Sequence, residues 1–328
     1  MTVMTATYRI VTPMFLGDAD QKATSLRPPS IKGALRFWWR ALNWGKCLSE
    51  GGTESEALKR LYREERRLFG TAAVVENKRS LGQGAFLLRV SQPPRIALET
   101  VWPQNNTGSG YLGYGLMATN DQLHREGLKE GTDFRLELRF KPGTPSSDVD
   151  ALIETLRAWS LFGGLGSRAR RGFGSITLLE LNSQDERLDQ SAYEATARRI
   201  LSDAGEIEAF PPYTAFSRHT HFGILTVGSE ARHVHNQAGL LYKNHRGQPS
   251  SLRGETKVPF GLPLQGIDPN NRRASPLLFH IHVLLDGSFI AAVLHLPAIF
   301  HYLPQYQPTD LVAFYRDVTR FVPAEAHP

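Results

Sequence analysis

An α+β protein of two tandem domains, each running in the order βαββαβ, is what these 328 residues predict. Three observations carry that expectation. The chain is longer than one hydrophobic core ordinarily organises. Within residues 1–182 the apolar positions alternate, then recur at helical spacing, then alternate again, in the order strand, helix, strands, helix, strand. A glycine-rich loop stands directly ahead of the last of those strands. This is the ferredoxin-like (RRM-like) order. It divides the chain into one ferredoxin-like domain over 1–182 and a second over 183–328, with a long polar insertion near 228–275.

The first strand is "TATYRIVTPMF", with Tyr8, Ile10 and Val11 facing inward. After "LGDADQKATSLRPPS", Ser30 is expected to cap a helix, with Pro28 and Pro29 holding the preceding residues extended. Ile31, Leu35, Trp38 and Leu42 form its apolar stripe, which runs to about Gly45. A second helix is expected from about Ser55 to Phe69, ended by Gly70. Strand-like pieces follow at Ala85–Val90, Ile96–Val101 and Phe134–Phe140, the last two separated by the loop "WPQNNTGSGYLGYGL". A helix capped by Ser147 or Asp148 runs through "ALIETLRAWSLFG", and "FGSITLLEL" closes the half as a strand. In the second half "DQSAYEATARRILSDAG" reads as a helix and "THFGILTVG" as a strand. "PLLFHIHVLLDG" and "SFIAAVLHLP" read as an antiparallel pair, and "TDLVAFYRDVTRFV" as a closing helix.

Composition narrows the function. A single cysteine, Cys47, excludes an internal disulfide framework and a cysteine-rich zinc site, which fits a reducing cytoplasm. The N-terminus lacks the pattern of a secretory signal, and the most apolar stretch is broken by Asp286 and Gly287, so neither export nor a membrane span is expected. Residues 1–182 carry a net charge of +7 and residues 183–328 a net −1. The basic excess therefore sits where a polyanion-binding face would be built.

The loop "GGLGSRARRGFGS" at 163–175 holds five glycines and three arginines. Gly164, Gly166 and Ala169 match a dinucleotide fingerprint, but that motif follows a strand and opens a helix, the reverse of the order here. Glycines allow close backbone approach, and Arg168, Arg170 and Arg171 supply forked donors suited to phosphate. A backbone clamp for RNA or single-stranded DNA meets both features. In "PPSIKGALRFWWRAL", Arg27 precedes the helix, and Lys32, Arg36 and Arg40 form a basic line along it. Trp39 borders that line as a candidate base-stacking platform, whereas Trp38 belongs to the apolar stripe.

"TPMFLGDADQKATSLRPPSIKGALRFWWRAL", "RLFG" at 67–70 and the glycine–arginine loop resemble the RAMP superfamily of CRISPR proteins. They are most similar there to the large two-domain RAMP subunit of the type III-B Cmr effector complex. "FGLPLQG" at 260–266 and "RRASPLLFHIHV" at 272–283 extend the likeness over most of the chain. The resemblance implies two tandem ferredoxin-like domains and a non-catalytic subunit without a cofactor. Such a subunit would contact the 3′ region of a guide RNA, the target RNA and neighbouring RAMP subunits. It also implies an RNA surface made of Lys32, Arg36, Arg40, Gly164, Gly166, Ser167, Arg168, Arg170 and Arg171.

Some members of the superfamily are metal-independent endoribonucleases that cut guide precursors, which is the alternative function here. It requires a general base and a cation at the phosphorane. The candidates are His219 or His221 with Tyr213 and Arg218. Two further histidine pairs, His233/His235 and His280/His282, have the i, i+2 spacing that places both rings on one face of a strand. A plain RRM-type protein is disfavoured, because no aromatic-rich RNP1-like strand is present.

Overall fold

The computed structural model describes residues 2–17, 22, 23, 25–76, 79–118, 120, 122–247, 252–300 and 309–323. In chain order the first half contains β1 (Val3–Ile10), α1 (Pro28–Ser49), α2 (Glu54–Phe69), β2 (Gly70–Glu76), β3 (Arg79–Gln83), β4 (Phe86–Ser91) and β5 (Leu98–Glu99). It continues with α3 (Gly108–Leu112), β6 (Gly127–Leu128), β7 (Asp133–Phe140), α4 (Ser146–Phe162) and β8 (Ile176–Leu181). The second half begins with β9 (Gln184–Asp185) and α5 (Gln190–Ala204), followed by β10 (His221–Gly228) and α6 (Ala231–Gly247). It ends with β11 (Leu262–Leu264), β12 (Asp268–Arg273), β13 (Leu277–Val283), β14 (Phe289–His295) and α7 (Leu311–Thr319). It is a mixed α+β structure whose named sheets are antiparallel throughout.

The first sheet has the order β4-β7-β1-β8-β9. Met4, Ala6, Tyr8 and Ile10 alternate onto its buried face, where α1 and α4 pack. The second sheet is β10-β14-β13. With α6 after β10 and α7 after β14, it repeats the strand–helix–strand–strand–helix sequence of the first half. The second half was expected to carry a complete βαββαβ unit; no fourth strand joins this sheet among the described residues. Both faces of β13 are buried, one in each apolar cluster. A strand covered on both sides has no solvent face, so even its two histidines, His280 and His282, are buried. Residues Asn182 and Ser183, both at positive φ, turn β8 into β9. Both apolar clusters cross this turn: Phe216, Phe222 and Leu294 join the first, and Val11, Phe15 and Phe173 join the second.

Local expectations are corrected at several termini. The first helix starts at Pro28 behind Arg27, so Ser30 lies inside it, and it continues to Ser49 rather than Gly45. Proline fits the first helical turn because its missing N–H would have no partner there. Helix α4 starts at Ser146 after Pro145, and neither Ser147 nor Asp148 caps it; Asp148 instead pairs with Arg67. The strand expected over 96–101 shrinks to Leu98–Glu99, and the loop after it contains α3.

The 228–275 region contradicts its reading as an insertion without clear elements. It contains the 17-residue α6, a 3-10 turn at Gly254–Phe260 and the β11–β12 hairpin; residues 248–251 lie outside the described set. Helix α6 crosses α3 at a glycine pair. A Cβ on Gly108 would stand 2.0 Å from the Asn236 carbonyl oxygen, and one on Gly239 would stand 2.1 Å from the Gly108 oxygen. A helix interrupted by an obligatory glycine carries a weakened periodic signal.

Trp38 is 2% exposed and packs against Phe37, Phe162 and Phe216, joining α1 to α4 and to the second half. Trp38→Ala is expected to cost about 3–5 kcal/mol, the usual range for truncating a core aromatic. Urea unfolding measures it, and a loss below 1 kcal/mol would mean the helix presents a different face.

Candidate nucleic-acid interface

The glycine–arginine loop joins α4 to β8, and its backbone is hydrogen-bonded mainly within the protein. Leu165 N–H donates to the Gly174 carbonyl, Ser167 N–H to Phe15 and Gly174 N–H to Pro13, each at 2.9 Å. Gly166 has φ +96°, and a Cβ there would sit 2.7 Å from the Phe15 oxygen; one on Gly164 would sit 2.7 Å from the Gly174 oxygen. The expectation that these glycines lie along a phosphodiester is therefore corrected. Gly164 and Gly166 let the loop close on itself and on the Pro13–Phe15 segment. Ser167 likewise spends its amide on Phe15, and its hydroxyl accepts from Arg125 at 3.3 Å.

The loop is also fastened to the second half. Phe279 N–H donates to the Arg170 carbonyl (3.0 Å), and Ile281 N–H to Ser175 Oγ (3.1 Å). His280 Nδ1–H donates to the Gly163 carbonyl (2.8 Å), and His235 Nε2–H to the Arg171 carbonyl (2.9 Å). His235 Nδ1 in turn accepts from Ser109 (2.9 Å), so the ring braces the loop from α6 while touching α3.

The loop's guanidinium groups face a cavity, with Arg168 exposed and Arg170 and Arg171 half-buried. Arg168 holds φ +62°, a conformation that side-chain-bearing residues adopt uncommonly. Arg170 stacks over Phe37 at 5.1 Å and donates to the Ser275 carbonyl at 3.0 Å. Burial, then Arg273 and Arg171, push its pKa down to about 10, so it remains charged at neutral pH. Arg171 lies between Tyr242 (5.0 Å) and Phe279 (5.7 Å). Across from them stand Arg246, stacked on Tyr242 and Phe260, and Arg272 and Arg273 from the end of β12. These six arginines line one cavity of about 740 Å³ together with Tyr111, Tyr114, Tyr242 and Phe260. None of the six forms an ion pair among the described residues. Guanidinium groups held on aromatic faces without carboxylates remain available to an outside anion.

The α1 cations are arranged differently, and none of them lines this cavity. Arg36 and Arg40 lie 3.8 and 3.5 Å from Glu65 of α2, and Arg36 also donates to the Gly70 carbonyl. Lys32 sits 5.0 Å from the Phe86 ring centre, its pKa lowered by burial and by Arg36 and Lys141. Arg27 donates to the Gly17 carbonyl at 2.7 Å. Trp39 is 3% exposed and packs edge-on against Phe69, so it belongs to the core and offers no platform to a base. With both tryptophans facing inward, the helix is apolar over a wider arc than a single stripe.

Sequence reasoning missed Arg246, Tyr111, Tyr114 and Tyr242, and gave no binding role to Arg272 or Arg273. A narrow stripe of Ala231, Val234, Ala238 and Tyr242 signals α6 and so the placement of Arg246; nothing local places it opposite residue 171.

Several candidates of the nuclease alternative are engaged within the protein. His219 stacks on Phe210 at 3.9 Å and bonds the Glu208 carbonyl, while Arg218 pairs with Glu208. Tyr213 donates to the Arg40 carbonyl, and burial raises its pKa strongly. His233 and His235 lie on α6 rather than on a strand, which separates their rings around the helix. His280 and His282 are buried between the two sheets. Among the described residues no three His, Cys, Asp or Glu side chains gather as metal ligands, and no helix is long and apolar enough to cross a membrane.

Most of the first antiparallel sheet, and the arginine-bearing loop ahead of its β8 strand, lie within a stretch that matches a known protein family. The RAMP superfamily model matches residues 7–177, and the chain belongs to that superfamily. Its relatives are more specific. The chain is 27% identical to CRISPR system Cmr subunit Cmr1-1 of Pyrococcus furiosus over 284 residues, covering 78% of this chain and 76% of that one. It is 28% identical to subunit Cmr1-2 of the same organism over 178 residues, covering 51% and 89%. In three dimensions it resembles the apo crystal structure of P. furiosus Cmr1, with a TM-score of 0.65, 21% identity and 98% of each chain covered. A chain of a type III-B Cmr-beta complex bound to cognate target RNA follows, with a TM-score of 0.58, 14% identity and coverage of 97% and 98%.

Proposed function

We propose that this protein is a non-catalytic, RNA-binding subunit of a cytoplasmic type III-B Cmr effector complex in antiviral defence. In this reading its two halves are tandem versions of one ferredoxin-like plan, the second without its last strand. The protein holds the 3′ region of the guide RNA and the target RNA beside neighbouring RAMP subunits. The observation that carries the reading is the convergence of Arg168, Arg170 and Arg171 with Arg246, Arg272 and Arg273 around one cavity, with no carboxylate among the described residues paired to them. Arg27, Lys32, Arg36 and Arg40 add a second, partly neutralised basic surface on α1.

The test is binding of labelled single-stranded RNA across a salt series, with metal omitted. If about four phosphates are neutralised, log K is expected to fall against log salt with a slope of about −3. An affinity insensitive to salt would remove the cavity from the RNA path. A discrete cleavage product from repeat RNA, lost in a His219→Ala/His221→Ala variant, would favour the nuclease alternative.

A further inference from the structure

The arginine cavity carries more positive charge than a strand passing through it would call for. A running phosphodiester offers one negative charge per nucleotide, spread along the chain. Six guanidinium groups around about 740 Å³ concentrate charge at one place.

The wall of the cavity also contains unmet hydrogen-bond donors. Arg171 Nη1, Arg246 Nε and the Tyr242 phenol are buried without a partner among the described residues, and Tyr242 is only 2% exposed. A buried donor without an acceptor loses its hydration with nothing in return. Three such groups from the walls of one cavity suit an acceptor with several oxygens. A phosphomonoester supplies that acceptor: a dianion at neutral pH, with three terminal oxygens on one phosphorus. Tyr114, 82% exposed on the rim, and Tyr111, whose hydroxyl accepts from Arg246 at 2.9 Å, place aromatic surface beside the charge. Base stacking on such rings is sequence-tolerant.

We infer that the cavity is an end-binding seat: it takes a nucleotide carrying a terminal phosphate, the phosphate among Arg168, Arg171 and Arg246 and the base against Tyr111 or Tyr114. The ligand is the phosphorylated end of an RNA strand rather than a continuous stretch of it. The inference rests on the RNA-binding reading and adds to it which part of the RNA is held.

The experiment compares three forms of one short RNA, bearing a 3′-phosphate, a 5′-phosphate, or hydroxyls at both ends, by fluorescence anisotropy at pH 7.5. One phosphorylated form is expected to bind at least tenfold more tightly than the hydroxyl form. That advantage should shrink as the pH is lowered toward about 6, where the second phosphate proton returns. Arg246→Met should reduce the advantage to below about twofold, a larger loss than it causes in the affinity for hydroxyl-ended RNA, because only the phosphorylated end reaches its guanidinium with a dianion. Equal affinity for all three forms overturns the seat and leaves general RNA binding standing. Failure of every form to bind tells against the RNA-binding reading itself. A free nucleoside monophosphate competing as well as the phosphorylated strand would keep the phosphate chemistry but overturn the assignment to a strand end.

Discussion

Acidification from pH 6.5 to pH 4.5 is expected to remove most of the stability of this protein. His235, His280, His282 and His295 are all at most 1% exposed. Burial pushes His235 and His280 down to about 4 and His295 to about 3, and holds His282 well below the usual range, with His280 lowering it further. In the unfolded chain each takes a proton near pH 6.5. Between 6.5 and about 4 the unfolded state therefore binds more protons than the native state, and stability falls as the pH falls. It is fully present above 6.5.

Each histidine contributes a slope approaching about 1.4 kcal/mol per pH unit in that window, on the order of 2 kcal/mol by pH 4.5. Four together rival the whole stability of an ordinary domain. Carboxylates with lowered pKa values, such as Glu99, lose their contribution only further down, which separates the two effects. Urea unfolding at pH 7.5, 6.5, 5.5 and 4.5 reads the slope, and His282→Gln should reduce it by about one proton. A stability that stays flat down to pH 5 would mean the rings are not held neutral in the core.

The second large effect concerns the cavity. Arg168→Glu combined with Arg272→Glu is expected to weaken RNA binding at least tenfold at moderate salt. Both side chains are exposed, neither pairs with a carboxylate among the described residues, and reversal places two negative charges where the proposed phosphate would lie. Unfolding free energy should change by no more than about 0.5 kcal/mol, as for other surface substitutions. Arg171→Glu is a different experiment. It sets a carboxylate against Tyr242 and Phe279, so its loss of binding would be mixed with loss of structure. RNA affinity unchanged in the double variant would show that the strand takes another path.

The first half was readable because its signals are local. The alternation around Tyr8, the Ile31–Leu35–Trp38 stripe and the glycine loop each declare themselves within about a dozen residues. Trp39 was misread as a stacking platform because helical spacing alone cannot tell a wide apolar face from a narrow one. Helix α6 was missed for the opposite reason. Its stripe is narrow, it includes the buried polar His235, and Gly239 interrupts it for the sake of the Gly108 crossing. Three of the cavity's six arginines were legible as a cluster. The other three come from α6 and β12, and only tertiary packing brings residues 246 and 272–273 opposite 168–171.

The anchoring of the α4–β8 loop onto β13 has a mechanical consequence. On the proposed function, tension in a strand held at Arg170 and Arg171 would pass through the Phe279, Ile281 and His280 bonds into a sheet sandwiched between both cores. Those bonds are strained together rather than one after another, so the grip should resist pulling better than a free-standing loop. A chain severed after Ser183 would keep every loop arginine and still let go.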